Sequence, residues 1–167
     1  GDLGFRRPQL RLTQGMAVSD DTSLKLEGAI TRNIGSLANY NSIDSGTAEG
    51  APAYQGRISL TTPVFNGLNS TFGISGHYGQ EEYDITLDKD EFDSWSLAFD
   101  MTMPITADTK VTGEIYEGTN CGGYTGGIGH QINTTDNNEI DAMGGWVAIS
   151  HTINAQFSVA AGYGLDT

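Results

Sequence analysis

The sequence predicts an all-β fold, in which about eight antiparallel strands follow one another as an up-and-down meander. At residues 94–103, large apolar side chains at every odd position from Trp95 to Met103 alternate with small or polar ones. This period of two is typical of a β-strand with one apolar and one polar face. The composition agrees, because the 167 residues include 23 Gly and only 8 Lys and Arg, while Ser, Thr and Asn are frequent.

The first four strands are predicted at residues 9–18, 24–33, 54–62 and 71–78, each from apolar residues at alternate positions. Between the third and fourth, the pair Asn66-Gly67 predicts a compact turn. The apolar rows of these strands are Leu10, Leu12, Met16 and Val18; Leu24, Leu26, Gly28 and Ile30; Tyr54, Gly56, Ile58 and Leu60; and Phe72, Ile74, Gly76 and Tyr78.

The last four strands are predicted at residues 94–103, 110–117, 140–150 and 155–164. In the seventh strand, which is the least regular, Gly144 and Gly145 suggest a bulge or a close backbone approach. The apolar rows are Trp95, Leu97, Phe99, Met101 and Met103; Val111, Gly113 and Ile115; Val147 and Ile149; and Phe157, Val159, Ala161 and Tyr163.

The predicted connections alternate in length along the chain. Those near residues 19–23, 64–69, 104–108 and 151–154 are short, whereas those at 34–52, 79–93 and 118–139 are long. All long connections therefore lie at one end, as in outer-membrane barrels with their short periplasmic turns and long external loops. The ten residues of 94–103 also match the roughly 9–11 that a tilted strand needs to cross a bilayer. The pattern favours a transmembrane β-barrel.

Aromatic residues of the apolar parity fall into two predicted bands. With the short turns in the periplasm, Tyr54, Tyr78, Trp95 and Tyr163 lie near the outer rim. Phe65, Phe72 and Phe157 lie near the inner rim. Two bands are expected where a lipid-facing wall meets its two interfaces. The alternative is that these rings fill the core of a soluble protein.

The same orientation leads us to expect that residues 1–167 are a single segment of a larger barrel. The first strand would begin, and the eighth would end, on the outer side, whereas bacterial barrels ordinarily have both termini in the periplasm. Eight-stranded barrels also fill their interior with side chains, but the polar parity here is largely Ser, Thr, Gly and Ala. A wider, water-filled lumen fits better.

Charge and cysteine content exclude some functions. A formal net charge of −13 argues against a nucleic-acid partner, which requires a basic surface. No apolar run approaches 18 residues, so the sequence predicts no transmembrane helix. The single Cys121 cannot form an internal disulfide.

Several segments resemble the DcaP-like outer-membrane porins. They are residues 6–13 (RRPQLRLT), 73–79 (GISGHYG), 113–129 (GEIYEGTNCGGYTGGIG), 144–150 (GGWVAIS) and 161–166 (AGYGLD). The resemblance implies a homotrimeric channel of about sixteen strands in the outer membrane of a Gram-negative-type bacterium. It also implies passage of small hydrophilic solutes, often anionic, and contact with outer-membrane lipid.

Charged and polar residues of the inward parity are the predicted pore-lining set, because rings of charge set the selectivity of pores. Arg7, Arg11 and Arg57 predict a basic strip that attracts carboxylates, with ion pairing to the nearby acids as the alternative. The full set is Arg7, Arg11, Lys25, Glu27, Gln55, Arg57, His77, Asp100 and Glu114.

No cofactor, metal site or enzyme activity is predicted. His77 has no second His or Cys at metal-ligand spacing, and no nucleophile, base and orienting group can be assembled. The acidic run at 81–93 lacks the Gly and Glu pattern of an EF-hand loop, so we expect a solvated loop there. Two alternatives to a diffusion porin are a soluble, lectin-like all-β binding module and a small closed barrel serving as membrane anchor or adhesin.

Overall fold

A computed structural model describes residues 8–33, 35, 45–84, 89–124, 132–133 and 135–167. It contains ten strands and a short helix, α1, with a single 3-10 turn at Gly122–Tyr124. The elements are β1 (Gln9–Ala17), β2 (Ser23–Arg32), α1 (Ser45–Glu49), β3 (Pro52–Phe65), β4 (Leu68–Asp84), β5 (Lys89–Pro104), β6 (Thr109–Thr119), β7 (Ile132–Asn133), β8 (Asn138–Glu139), β9 (Asp141–Thr152) and β10 (Ser158–Asp166). Within these ranges, no helix has the length and hydrophobicity that a membrane span requires.

Eight of the strands form one antiparallel sheet in the order β1-β2-β3-β4-β5-β6-β9-β10. Each strand of this sheet pairs with its predecessor in the chain, apart from the small β7–β8 hairpin inserted between β6 and β9. The predicted eight-stranded meander is therefore confirmed. The sheet is not closed, because β1 and β10 each pair with one neighbour.

The predicted loop at residues 79–93 was wrong at 79–84 and 89–93, and its middle, 85–88, lies outside the described residues. Strand β4 continues to Asp84 and β5 begins at Lys89, and their ladder runs without interruption from the Gly79–Ser94 pair to the Asp84–Lys89 pair. Acidic residues are depleted in strands, so their number favoured a loop. The strand pairing nevertheless continues through them, and Glu81 and Phe92, paired across the two strands, are both buried.

Two local predictions concern glycine. Asn66 and Gly67 have φ angles of 50° and 72°, as a two-residue type I′ hairpin turn requires, so the predicted turn is confirmed. At Gly144 and Gly145 the register with β6 is regular, so the suggested bulge was wrong. The close backbone approach is present instead, because a Cβ on Gly145 would lie 2.8 Å from the carbonyl oxygen of Glu114.

The register aligns the apolar rows of neighbouring strands on one face. Leu26, Ile58, Ile74, Phe99 and Ile115 are successive partners across β2 to β6, and directly opposed residues point to the same side of a sheet. The side chains of this row are exposed, Ile74 by 57% and Ile115 by 64%. In the described part of the chain no second layer covers this face, which we call the apolar face.

The buried hydrophobic residues lie at the end of the sheet that carries the long connections. Three of them, Ala53, Phe92 and Ala142, belong to the parity opposite to the apolar face, which we call the polar face. Helix α1 covers part of it, where the Ser45 hydroxyl donates to the Glu81 carboxylate at 2.6 Å. The buried hydrophobic set is Ala53, Phe92, Cys121, Ile132 and Ala142.

Candidate functional site

A charge network lies in the middle of the polar face. The guanidinium of Arg57 on β3 donates from Nη2 to Asp100 Oδ1 at 2.6 Å and from Nε to Asp100 Oδ2 at 3.1 Å. A two-point contact between a planar guanidinium and a carboxylate is both stronger and more directional than a single hydrogen bond. This bridge fixes the orientation of both side chains.

Gly73 gives the bridge its room, because β4 lies between the strands that carry Arg57 and Asp100. A Cβ at Gly73 would lie 2.3 Å from Asp100 Oδ2 and 2.4 Å from Arg57 Nη2. Any side chain there would displace the bridge. The glycine is therefore required by close approach and not by its backbone angles.

Glu27 is the second acid of the network. Its carboxylate lies 3.1 Å from the ammonium of Lys25, 3.6 Å from Arg57 Nη1 and 3.9 Å from Arg11 Nη1. Among the described residues, Arg11 and Arg57 of the predicted basic strip are thus paired with acids, as the ion-pairing alternative predicted. Arg11 keeps 55% of its side chain exposed, compared with 27% for Arg57.

His77 connects the eight-stranded sheet to the segment that follows β6. Its Nδ1 lies 2.6 Å from Ser96 Oγ, and its Nε2 lies 3.0 Å from Ser94 Oγ. Its ring stacks on Tyr124 with centroids 3.7 Å apart. Tyr124, in the predicted 118–139 loop, therefore lies over the polar face. No sequence pattern pointed to Tyr124, because its contact with His77 is made only in the folded chain.

An open cavity of about 430 Å³ lies beside the network and His77. Five of the nine predicted pore-lining residues line it. Lys25 and Asp100 form ion pairs with two of these five, Glu27 and Arg57. Glu114 on β6 does not line this cavity and pairs with Asp100 on β5 in the sheet register. Arg7 lies outside the described residues. The predicted residues that line the cavity are Arg11, Glu27, Gln55, Arg57 and His77.

The predicted interface aromatics lie on the apolar face or in the turns. Tyr54, Tyr78 and Trp95 are successive partners on β3, β4 and β5 toward the long connections, and each is exposed by at least 40%. Tyr163 on β10 pairs with Val147. Toward the short turns, Phe72 pairs with both Leu60 and Met101. Phe65 borders the Asn66–Gly67 turn, and the Phe157 carbonyl accepts from the amide of Ile153 in the last turn.

Two aromatic side chains on the polar face were not among the predicted site residues. Trp146 pairs with Glu114, and Tyr116 lies over Gly144 and donates from its hydroxyl to Asp166. Parity alone contained the signal, since Trp146 alternates with the apolar Val147.

Cys121, in the segment that follows β6, is buried. Its thiol donates to the Trp95 carbonyl oxygen at 3.4 Å. Burial first, and then the negative charge of Asp166, raise the pKa of this thiol to about 11. In the part of the chain that the structure describes, no group of three or more His, Cys, Asp and Glu side chains is placed to hold a metal ion.

Comparisons with protein-family models, curated proteins and solved structures returned no match, so no family is identified for this chain.

Proposed function

We propose that this chain forms part of the wall of an outer-membrane porin through which small hydrophilic solutes diffuse. The observation that carries the proposal is the continuous apolar face, which is exposed on a sheet whose opposite face carries the charges. A soluble protein would cover such a face, because contiguous exposed apolar patches are rare in monomers. Lipid outside the barrel would cover the apolar face, and water inside it would solvate the polar face.

The open edges support a wall with further strands. Backbone N–H and C=O groups left unpaired in a bilayer each cost several kcal/mol, so membrane sheets close into barrels. Since β1 and β10 each have one partner, additional strands would have to satisfy their outer edges. The resemblance to DcaP-like porins gives about sixteen strands and a homotrimer as the expected assembly.

The polar face supplies a route for solutes. Charges fixed by the Arg57–Asp100 bridge would orient solutes without large reorganisation, and the most exposed cation of the network is Arg11. The Tyr124 segment would narrow the route beside His77. Diffusion along such a wall needs no catalysis.

The two tryptophans of the chain test the assignment of the faces, because Trp95 lies on the apolar face and Trp146 on the polar face. In lipid vesicles we expect acyl chains brominated near the headgroup to quench the Trp146→Phe variant, which retains Trp95. We expect little such quenching of the Trp95→Phe variant, which retains Trp146. Acrylamide in the water should show the opposite preference.

Planar-bilayer recording then separates the alternatives. Stable conductance together with lipid quenching of Trp95 supports the porin. Lipid quenching without conductance would replace it by the membrane anchor or adhesin. A lack of lipid quenching, in a protein that refolds without detergent, would replace it by the soluble binding module.

A further inference from the structure

A second cavity lies on the polar face, beyond the charge network. Its volume is about 440 Å³, and residues of β5, β6, β9 and β10 line it together with Cys121 and Tyr124 from the segment that follows β6. The side chains that give it chemical character are two carboxylates and three aromatic rings. They are Glu114, Asp166, Tyr116, Trp146 and Tyr124.

The sheet register builds this cavity from two adjacent rows. In one row, Glu114 on β6 pairs with Trp146 on β9, and Trp146 pairs with Gly164 on β10. Directly opposed residues have Cβ atoms about 4.5–5.5 Å apart, so the carboxylate and the indole are neighbours. Because Gly164 has no side chain, the far side of the indole stays uncovered, and Trp146 is 45% exposed.

The other row fixes the second carboxylate. Gly144 pairs with Tyr116 on one side and with Asp166 on the other. A Cβ at Gly144 would lie 2.7 Å from the Tyr116 ring, so the glycine lets that ring lie across β9. The Tyr116 hydroxyl then donates to Asp166, which holds its carboxylate at the cavity.

Among the described residues, the two charged side chains that line the cavity are both acidic. Of the described residues that line it, none is Lys, Arg or His. Asp100 on the neighbouring strand is engaged by Arg57, whereas no ion pair within the described ranges involves Glu114. A cation would meet both carboxylates and the aromatic side chains here.

We propose that this cavity is a binding site for organic cations that carry a quaternary ammonium group. Such a group is weakly hydrated, and aromatic faces attract it through the negative face of their π-systems. Glu114 and Asp166 supply the opposite charge. The inference concerns the polar face itself and does not depend on that face lining a channel.

Trp146 is also the reporter for the test. In the Trp95→Phe variant, kept in a maltoside detergent, we expect choline to change the Trp146 emission saturably. The uncharged carbon isostere 3,3-dimethylbutan-1-ol should produce no such change, and potassium chloride corrects for ionic strength. Equal responses to choline and the isostere, or no saturable response to choline, would overturn the proposal.

Charge variants locate the site. Glu114→Gln should raise the Kd for choline about tenfold, as expected for a loss of about 1.4 kcal/mol. Glu117→Gln is the matched control, because Glu117 lies on the same strand but on the opposite face. If Glu114→Gln does not fold, Asp166→Asn takes its place. An unchanged Kd in a folded carboxylate variant would contradict the assignment.

The outcome is separable from that of the porin proposal, because lipid quenching of Trp95 does not involve Glu114. Choline binding without lipid quenching would leave this site in place and remove the porin. Lipid quenching without choline binding would do the reverse.

Discussion

On the apolar face, Ile58, Ile74 and Ile115 are more than half exposed, whereas on the polar face at the long-loop end Ala53 and Phe92 are buried. Among the described residues, the buried hydrophobic side chains of the eight-stranded sheet thus lie on the polar face, part of which α1 covers. Such an arrangement is unfavourable in water, where burial of apolar area is the main driving force of folding. The apolar face therefore needs a partner from outside the described chain, and lipid is the partner that we propose.

The largest expected effect comes from placing a charge on the apolar face. Ile74→Arg should destabilise the protein folded in lipid by about 2–4 kcal/mol, the cost of Arg at the bilayer midplane. Urea unfolding in vesicles measures this change. Ala98→Arg is the matched control, since Ala98 pairs with Ser75 at nearly the same height on the polar face. Equal losses in the two variants would remove the distinction between the faces.

Removing the central cation comes next. In Arg57→Gln, Glu27 and Asp100 lose their shared partner, so the polar face gains net negative charge and we expect selectivity to shift towards cations. The reversal potential in a potassium chloride gradient measures the shift. Lys110→Gln, on the polar parity near a short turn, should shift it less. A larger shift in the Lys110 variant would place the selective charge outside the network.

A smaller effect is expected at the glycine under the bridge. Gly73→Ala should destabilise the folded protein by about 1–2 kcal/mol, because the new methyl group displaces a charge-assisted contact. Gly15→Ala is the control, because a Cβ there meets no atom within 4 Å. The control should be neutral or slightly stabilising, since Gly weakens strands relative to Ala. Equal unfolding midpoints for the two variants would mean that the bridge relocates without loss.

The smallest effect concerns the Cys121 thiol. With its pKa raised to about 11, little thiolate forms at pH 8, so we expect alkylation to be slow and to accelerate as the pH rises towards 11. The unfolded chain, whose thiol has a pKa of about 8.5, should react much faster at pH 8. The stability from the protonated thiol is fully present below about pH 8.5 and is lost as the pH rises towards 11. Equal alkylation rates for folded and unfolded protein would contradict its burial.

Fold and site were not equally predictable. The strands could be predicted because alternation marks each of them, and the Trp95–Met103 row has only one regular interpretation. Strands that follow one another directly then predicted the meander order. The extension of β4 and β5 was missed, because the acidic residues at 81–84 carry weak strand preference. The pairing of Arg57 with Asp100 depends on register and on an intervening glycine, and sequence alone fixes neither. Trp146 was missed because its strand has apolar residues at both parities.

The turn at Asn66 and Gly67 also sets the order in which the sheet can assemble. Its two residues with positive φ bring Phe65 and Leu68 into contact across the shortest loop between strands of the sheet, and short loops have the lowest closure entropy. We therefore expect the β3–β4 hairpin to form first and to serve as a template. Strands would then add on either side from nearby in the chain, which is the kind of topology that folds quickly.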